Sequence, residues 1–375
     1  MIPAATRRAA KIVFALAGLA FFLAAPLANA ASPAQDDAAS RVVSIPHGNG
    51  LPVVVRPALF FNHLESFDDN AGTFEATVDL RLTWIDSRLR YPAKEALRGY
   101  KEYRVSAAEK EIAKIWTPTI RHVNRVGDPA FSERRLRIFP NGMVEVIDRI
   151  TATYKTPVET SRFPFDRQNL EIVMVVQEDT VETVDMNFTS DDVGFSRISK
   201  NAELDGWSTG LVGLKRELVN GWNGDRYAKI VASLTVSRVA TSSIATIFIP
   251  LFASLLIPFL ATWMNRAQDG EFDVDAFELG NVIIGGLFAV IALSFTFSSS
   301  FPALSSGDNT VTRLLGLNYV ALAFGTIITV VFYRYKLPAR WFGVYVQEQA
   351  FLFLSWAFPI LFIATGLAFV FVSAA

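Results

Sequence analysis

The chain contains no cysteine among its 375 residues, which excludes disulfide bonds and thiolate metal sites. Histidine is almost as scarce: His47, His63 and His122 lie far apart, with no spacing typical of a metal site. The sequence also lacks a glycine-rich loop for phosphate, and its carboxylates are scattered along predicted strands. We therefore predict no cofactor, no metal site and no catalytic centre, so the protein is not expected to be an enzyme.

An excess of charge of either sign is also absent, because 35 Lys and Arg residues balance 36 Asp and Glu residues. This balance gives no support for nucleic-acid binding. The charges are nevertheless unevenly distributed: most precede residue 240, and the apolar residues are concentrated after it. The chain is therefore expected to have a polar N-terminal half and a membrane-embedded C-terminal half.

The N-terminus has the three parts of a secretory signal peptide. Basic residues (Arg7, Arg8 and Lys11) precede an apolar run over residues 12–25, and the small-residue sequence at 28–30 predicts cleavage. We predict a signal peptide over residues 1–30, followed by a disordered start of the mature chain over 31–41. A membrane helix is the alternative, but the apolar run is short for one.

Four apolar stretches are long enough to cross a bilayer, which takes about 20 residues. They cover approximately residues 242–264, 279–301, 314–332 and 350–372. The link after the third stretch is basic, which predicts a cytoplasmic position by the positive-inside rule. An exported N-terminal half and a C-terminus outside the cytoplasm follow from this topology, as expected for a multi-pass membrane protein.

The second stretch has a graded face. Residues spaced by three or four positions share one side of a helix. From the predicted cytoplasmic end, this face runs from acidic through polar and small to bulky apolar, and ends in a hydroxyl: Glu278, Asn281, Gly285, Phe288, Ala292, Phe295 and Ser299. A pore-lining helix in a symmetric ring would be graded in this way. The same spacing also fits a helix that faces lipid or packs in a bundle, and this stretch alone leaves both interpretations open.

Glu278 stands at the acidic end of this face, after Asp269, Glu271, Asp273 and Asp275. Repeated around a ring, it would attract cations by about 3 kcal/mol per charge at 5 Å and an effective dielectric near 20. A favourable charge at the helix start is the simpler role. If the helix lines a pore, the sequence predicts a cation pore rather than an anion pore.

The N-terminal half has the pattern of a β-sandwich. Residues 74–84 alternate between apolar and polar side chains, which predicts a half-buried antiparallel strand. Asn141-Gly142 predicts the turn of a hairpin. Further strands are predicted at 170–177, 184–188, 207–214 and 226–236, with only a possible helical turn near 107–113. We predict a sandwich over residues 42–238 and a membrane domain over 239–375.

Several sequence landmarks occur in a characteristic order, ahead of the four apolar stretches. They are Trp84-x-Asp86, Trp116-x-Pro118 with Asn124, Asn141-Gly142 with Arg149, Phe163-Pro164-Phe165-Asp166, Arg238 and Pro250. In this order the chain resembles the prokaryotic pentameric ligand-gated ion channels of the Cys-loop receptor family, from about residue 42 to the end. The resemblance implies an extracellular or periplasmic β-sandwich above four membrane helices, assembled as a homopentamer in the lipid bilayer, with the second helix lining the pore and Phe288, Ala292 and Phe295 at its gate.

This sequence departs from the family at informative positions. Thr156 and Leu170 occupy the places of the two bridging cysteines, so packing and hydrogen bonds must close that loop. Val123 and Gln177 replace two aromatic residues of the agonist site, and a full aromatic cage for a quaternary ammonium is not expected. The remaining candidates for binding a small-molecule or ion agonist are Glu178, Asp179, Trp222 and Tyr227. Simple packing of Trp222 and Tyr227 against strands is an equal alternative.

Two residues are predicted to form an ion pair at the junction of the two halves. Asp166 would meet Arg238, and the loop containing Phe163, Pro164 and Phe165 would contact the link between the second and third membrane helices at Pro302 and Arg313. The pair would carry a binding signal to the pore, or it would only stabilise the fold. The protein is accordingly predicted to be a ligand-gated channel that conducts cations. A non-conducting periplasmic sensor acting through a membrane partner, and a transporter or accessory membrane protein, are the rivals.

Overall fold

The computed structural model describes residues 42–96, 98–221, 224–265, 267–268, 271–272 and 276–375. The predicted signal peptide, the predicted disordered segment up to residue 41 and Trp222 lie outside the described residues, as do Asp269, Asp273 and Asp275. For Glu278 only the backbone is described.

Ten strands of the described N-terminal half form two facing sheets. The strands are β1 (Val53–Asp68), β2 (Thr73–Ile85), β3 (Lys101–Arg104), β4 (Ile120–His122), β5 (Arg125–Ile138), β6 (Met143–Lys155), β7 (Arg167–Val176), β8 (Val184–Met186), β9 (Trp207–Asn220) and β10 (Arg226–Arg238). One sheet has the order β3-β5-β6-β2-β1-β8 and the other β4-β7-β10-β9. Strand β8 is parallel to β1, and the remaining pairs are antiparallel. The predicted β-sandwich is confirmed.

Alternation along β2 and β6 produces the core between the sheets. Phe74, Val78 and Leu80 of β2 are buried together with Tyr154 of β6, whose ring stacks on Phe74 at 5.5 Å. Side chains of opposite parity point outward, as a period of two requires. At the predicted β5–β6 turn, Gly142 has φ +82, and a Cβ there would lie 2.5 Å from a backbone oxygen, so glycine is required.

Several bounds differ from the sequence prediction. Strand β9 runs to Asn220 and β10 to Arg238, because each continues to pair with the other beyond the predicted ends. A helix α1 (Ser106–Ile112) lies where only a turn was expected. A second helix, α2 (Ser190–Phe195), was not predicted at all; its Asp192 accepts hydrogen bonds from Thr189 and from Arg81 on β2.

Four helices of the described C-terminal half are long and apolar enough to cross a membrane. They are α3 (Ile244–Trp263), α4 (Ala276–Ser300), α6 (Thr310–Arg334) and α8 (Val344–Ala374). Two short helices lie in the links, α5 (Pro302–Ser305) before α6 and α7 (Leu337–Phe342) before α8. A hairpin of two short strands, β11 (Ala267–Gln268) and β12 (Glu271–Phe272), follows α3. The chain is thus a β-sandwich followed by a multi-pass helical domain.

A polar contact joins α3 and α6 within the apolar bundle. Asn318 is 1% exposed; its amide donates to the carbonyls of Leu251 and Leu314, and its oxygen accepts from the Ser254 hydroxyl at 2.8 Å. Such a contact is favourable because hydrocarbon offers an exposed amide no partner. Helix α8 packs against α3 and α6.

Candidate coupling site and pore helix

Arg238, the last residue of β10, is the centre of an ion-pair network below the sandwich. Its guanidinium donates to Asp166 through Nε at 2.7 Å and Nη2 at 3.1 Å, and Nη2 also donates to Asp69 at 2.6 Å. The guanidinium carbon lies 4.2 Å from the ring centre of Trp207 and 4.9 Å from that of Phe163. Both acids and both rings therefore hold one cation in a fixed orientation.

The charges of this network are largely removed from water. The side chains of Arg238, Asp166 and Asp69 are 11%, 2% and 18% exposed. Burial by itself would lower the pKa of Arg238, but hydrogen bonds and charge from Asp166 and Asp69 outweigh it, and the pKa is raised above its usual value. Arg238 consequently stays charged, and its two carboxylates replace the stabilisation that water would otherwise give this charge.

Phe163 projects from the sandwich into the apolar core of the membrane helices. It is fully buried and belongs to the cluster formed by Phe248, Leu304 and Val311, with its ring centre 6.2 Å from that of Phe301. Pro164 is also buried, whereas Phe165 is half-buried. We call residues 163–166 the coupling loop, because they join the ion-pair network to the helical core.

Hydrogen bonds hold the segment around the coupling loop in place of a disulfide. Thr156 Oγ1 donates to the carbonyl of Asn169 at 2.6 Å. Gln168 Nε2 donates to the carbonyl of Glu159 at 2.7 Å and to Asp166 Oδ2 at 2.6 Å, while Gln168 Oε1 accepts from the Glu159 amide. Gln168 thus closes the loop and orients its acid, a role that the sequence did not indicate.

Besides the contacts of Phe163 with Phe301 and Leu304, the link between α4 and α6 meets the sandwich at two further described points. The backbone amide of Ala303 donates to Asn70, in the turn between β1 and β2, at 3.4 Å. Gly307 lies against Thr160, where a Cβ would stand 3.1 Å from the hydroxyl. Asp69 and Asn70 were not singled out from the sequence, although an acidic turn between two long strands is a visible signal.

Pro302 and Arg313 are placed differently from each other. Pro302 opens α5, next to the Phe301 ring that approaches Phe163. Arg313 is exposed and forms a bidentate ion pair with Asp308, both distances being 2.8 Å. The described contact of Arg313 is thus within its own link and not with the coupling loop.

Helix α4 presents the graded face away from its own bundle. The opposite face is buried against α3 and α6 through Leu279, Gly286, Val290 and Phe297. Exposed residues include all six members of the predicted stripe whose side chains are described, with Phe288 67% and Phe295 74% exposed: Asn281, Gly285, Phe288, Ala292, Phe295 and Ser299.

The two adjacent glycines of α4 have different surroundings. A Cβ on Gly286 would lie 2.8 Å from Ile257 and 2.9 Å from Leu322, so this glycine permits close helix packing. A Cβ on Gly285 would meet nothing within 4 Å. Close packing therefore explains Gly286, whereas Gly285 belongs to the open face.

The described candidate agonist residues lie at one end of the β4-β7-β10-β9 sheet, where Glu178 and Asp179 follow β7 and Tyr227 is the second residue of β10. Glu178 is exposed and accepts from Thr119 Oγ1 at 3.4 Å, and burial together with the charge of Glu178 raises the pKa of Asp179. Tyr227 packs its ring on the backbone of Gly221. The amide of Val181 donates to the carbonyl of Arg226, next to Tyr227, at 2.8 Å, and so joins the segment after β7 to the start of β10.

The structure thus joins a two-sheet sandwich, through contacts around a buried arginine, to four apolar helices. Residues 41–240 match the family model described as the neurotransmitter-gated ion-channel ligand binding domain. The chain belongs to this family of pentameric ligand-gated ion channels. It is 27% identical over 255 residues to a proton-gated ion channel of Gloeobacter violaceus, covering 67% of this chain and 65% of that one. It is 22% identical over 224 residues to the gamma-aminobutyric acid receptor subunit theta of Mus musculus, covering 59% of this chain and 34% of the subunit. The matched regions thus span less than two thirds of either relative.

Proposed function

We propose that the protein is a ligand-gated channel in which five copies place α4 around a common pore that conducts cations. The observation that carries the proposal is the division of α4 into two faces. One face packs on α3 and α6, and the other exposes large apolar side chains such as Phe288 and Phe295, which a single chain leaves uncovered. A ring of five copies supplies partners for these side chains, and the family membership supports that number.

The pore would be acidic at one end and apolar in the middle. Glu278 begins the face and would concentrate cations by charge. Phe288, Ala292 and Phe295 would form an apolar constriction that excludes water when narrow and conducts when widened. The sandwich would lie outside the cytoplasm of a bacterial inner membrane, together with the C-terminus.

Gating would pass through the network around Arg238. An agonist that binds near Glu178, Asp179 and Tyr227 would shift β7 and β10. The ion pair of Arg238, at the end of β10, with Asp166 would pass this shift to the coupling loop. Phe163 would transmit it to Leu304 and Phe301, at the outer end of α4. The relatives suggest protons or an amino-acid amine as the first agonists to try.

Current recordings from the purified protein in planar bilayers test the proposal. Wild-type protein should conduct under at least one agonist condition, and Phe288→Ala should raise the resting current by widening the constriction. Ile360→Ala, which removes an equally exposed side chain from α8, should leave the resting current unchanged. Absence of current from both wild type and Phe288→Ala would refute the channel and favour a non-conducting sensor.

Ion selectivity is tested separately with Glu278→Gln. Loss of five charges at one mouth should lower the permeability ratio of cations over anions by about an order of magnitude, because each charge contributes roughly 3 kcal/mol of local attraction before screening. Reversal potentials in asymmetric salt measure this ratio. An unchanged reversal potential would show that Glu278 does not face the ions.

A further inference from the structure

Helix α8 is joined to the end of α3 by a hydrogen bond whose acceptor is made available by a proline. Pro359 lies inside α8 and has no N–H, so the carbonyl of Ser355, four residues earlier, lacks its usual helical donor. The indole Nε1 of Trp263, the last residue of α3, donates to that carbonyl at 2.7 Å. Ser355 and Pro359 are buried, whereas Trp263 is 45% exposed, so the bond lies at the edge of the helix bundle.

The nearby hydroxyl groups are already engaged elsewhere. Ser355 Oγ donates to the carbonyl of Leu352 at 2.8 Å, and Thr262 Oγ1 donates to the carbonyl of Pro258 at 2.9 Å. Because hydrocarbon supplies no hydrogen bonds, a carbonyl left without a donor there is costly. Trp263 is thus the described donor from another helix, and its ring is held between Phe259 at 6.4 Å and Trp356 at 6.1 Å.

This bond fixes α8 along its own axis. Side-chain packing of an apolar helix tolerates small axial shifts, whereas one donor and one carbonyl 2.7 Å apart define a single register. At the end of the same helix, Ser373, Ala374 and the following Ala375 line a cavity of about 280 Å³, together with Phe165 and Asp166 of the coupling loop. The 18 residues between Ser355 and Ser373 correspond to about 27 Å of rigid helix.

We propose that Trp263 is a positioning residue: its N–H holds the carbonyl that Pro359 leaves free, and thereby sets where the far end of α8 supports the coupling loop. The fixed register follows from the helices alone. Its effect on opening rests on the proposed channel function, and the two are tested by separate measurements.

The register is measured without recording current, because the native chain has no cysteine. Ser373→Cys introduces a single thiol at a buried position in the last turns of α8, and its rate of modification by a charged methanethiosulfonate reports on the exposure of that position. Trp263→Phe keeps an aromatic ring and removes the N–H. It should raise the modification rate about fivefold or more, which is the effect of losing one hydrogen bond.

Pro359→Ala provides the decisive comparison. Alanine restores a backbone N–H that bonds Ser355 within α8, so Trp263→Phe should then change the thiol rate by less than twofold. Trp341→Phe, which removes an exposed indole from α7, is the matched control and should have little effect in either background. Equal effects of Trp263→Phe with and without Pro359, or no effect in either, would overturn the proposal.

Assembly and current complete the test. If Trp263→Phe fails to assemble, the double variant with Pro359→Ala should assemble, since no carbonyl is then unpaired; failure of both would count against the bond. Agonist concentration for half-activation should follow the same pattern as the thiol rates. If Trp263→Phe changes the thiol rate only when Pro359 is present but the protein carries no current, the channel proposal is refuted and the fixed register of α8 stands. If the current is normal but the thiol rates do not depend on Pro359 in this way, the fixed register alone is refuted.

Discussion

Asp166→Asn is the substitution that most directly tests the network at Arg238. Asparagine keeps the size of the side chain but removes its charge and replaces one acceptor oxygen with an NH2 group. Asp166 accepts from Arg238 Nε, from Arg238 Nη2 and from Gln168 Nε2, so the NH2 group would face a donor. The substitution therefore removes attraction and creates a buried clash of donors at the same position.

The size of the effect follows from burial. Two unit charges about 4 Å apart attract by about 4 kcal/mol at an effective dielectric of 20, and breaking a buried pair typically costs about 3–5 kcal/mol. Asp69 still faces Arg238 after the change, so we expect a loss of about 3 kcal/mol in the free energy of unfolding. Asp69→Asn should cost only about 1 kcal/mol, because Asp69 makes one bond and is 18% exposed.

A double-mutant cycle with Arg238→Gln isolates the pair. Unfolding of the detergent-solubilised full chain in urea, followed by fluorescence, should give a coupling of about 2–3 kcal/mol between Asp166 and Arg238. Additivity within about 0.5 kcal/mol would refute direct pairing. The charge exchange Asp166→Arg with Arg238→Asp is a weaker test, because the new aspartate at position 238 would repel Asp69. If wild type and Asp166→Asn need the same agonist concentration for half-activation, the pair contributes to stability and not to gating.

Two further predictions concern polar groups that are wholly or partly removed from water. Burial and the charge of Arg125 lower the pKa of His122 to about 4, so the unfolded chain binds more protons between about pH 6.5 and pH 4. The free energy of unfolding should therefore decrease by up to about 3 kcal/mol as pH falls through this window. Thermal unfolding should show that His122→Phe removes this part of the decrease, whereas the control His47→Gln should not. Asn318→Leu should cost only about 0.6–1.5 kcal/mol in unfolding measurements, since the Ser254 hydroxyl, within 2.9 Å of the Leu251 carbonyl, can then donate to it; a loss above 3 kcal/mol would contradict this account.

Much of the fold could be predicted because its patterns are local. The period of two in β2 and the four apolar stretches identified the sandwich and the membrane helices, and the spacing of three and four in α4 identified the side that its own bundle leaves exposed. Helix α2 was missed because it has only six residues and is held by Asp192 bonding Arg81, which is 111 residues away. Contacts over such separations leave no periodic signal in the sequence.

The candidate site was predictable only in part. The sequence suggested that Asp166 would meet Arg238, and the structure places them 2.7 Å apart, but the functional role of the pair stays a prediction. It did not indicate that Asp69, Trp207 and Gln168 complete the network. Nor could it indicate the pairing of Arg313 with Asp308, because a long flexible cation has several acids within reach and the path of the link decides among them.

The sequence by itself therefore determined the two halves of this protein, the number of its apolar spans and the graded face of its second span, since burial periodicity and bilayer thickness constrain these directly. Only the tertiary structure decided which acids share Arg238, which face of α4 is packed, and that Trp263 bonds the carbonyl released by Pro359. These features depend on the distance and direction between atoms far apart in the chain, which hydrophobic patterning does not encode.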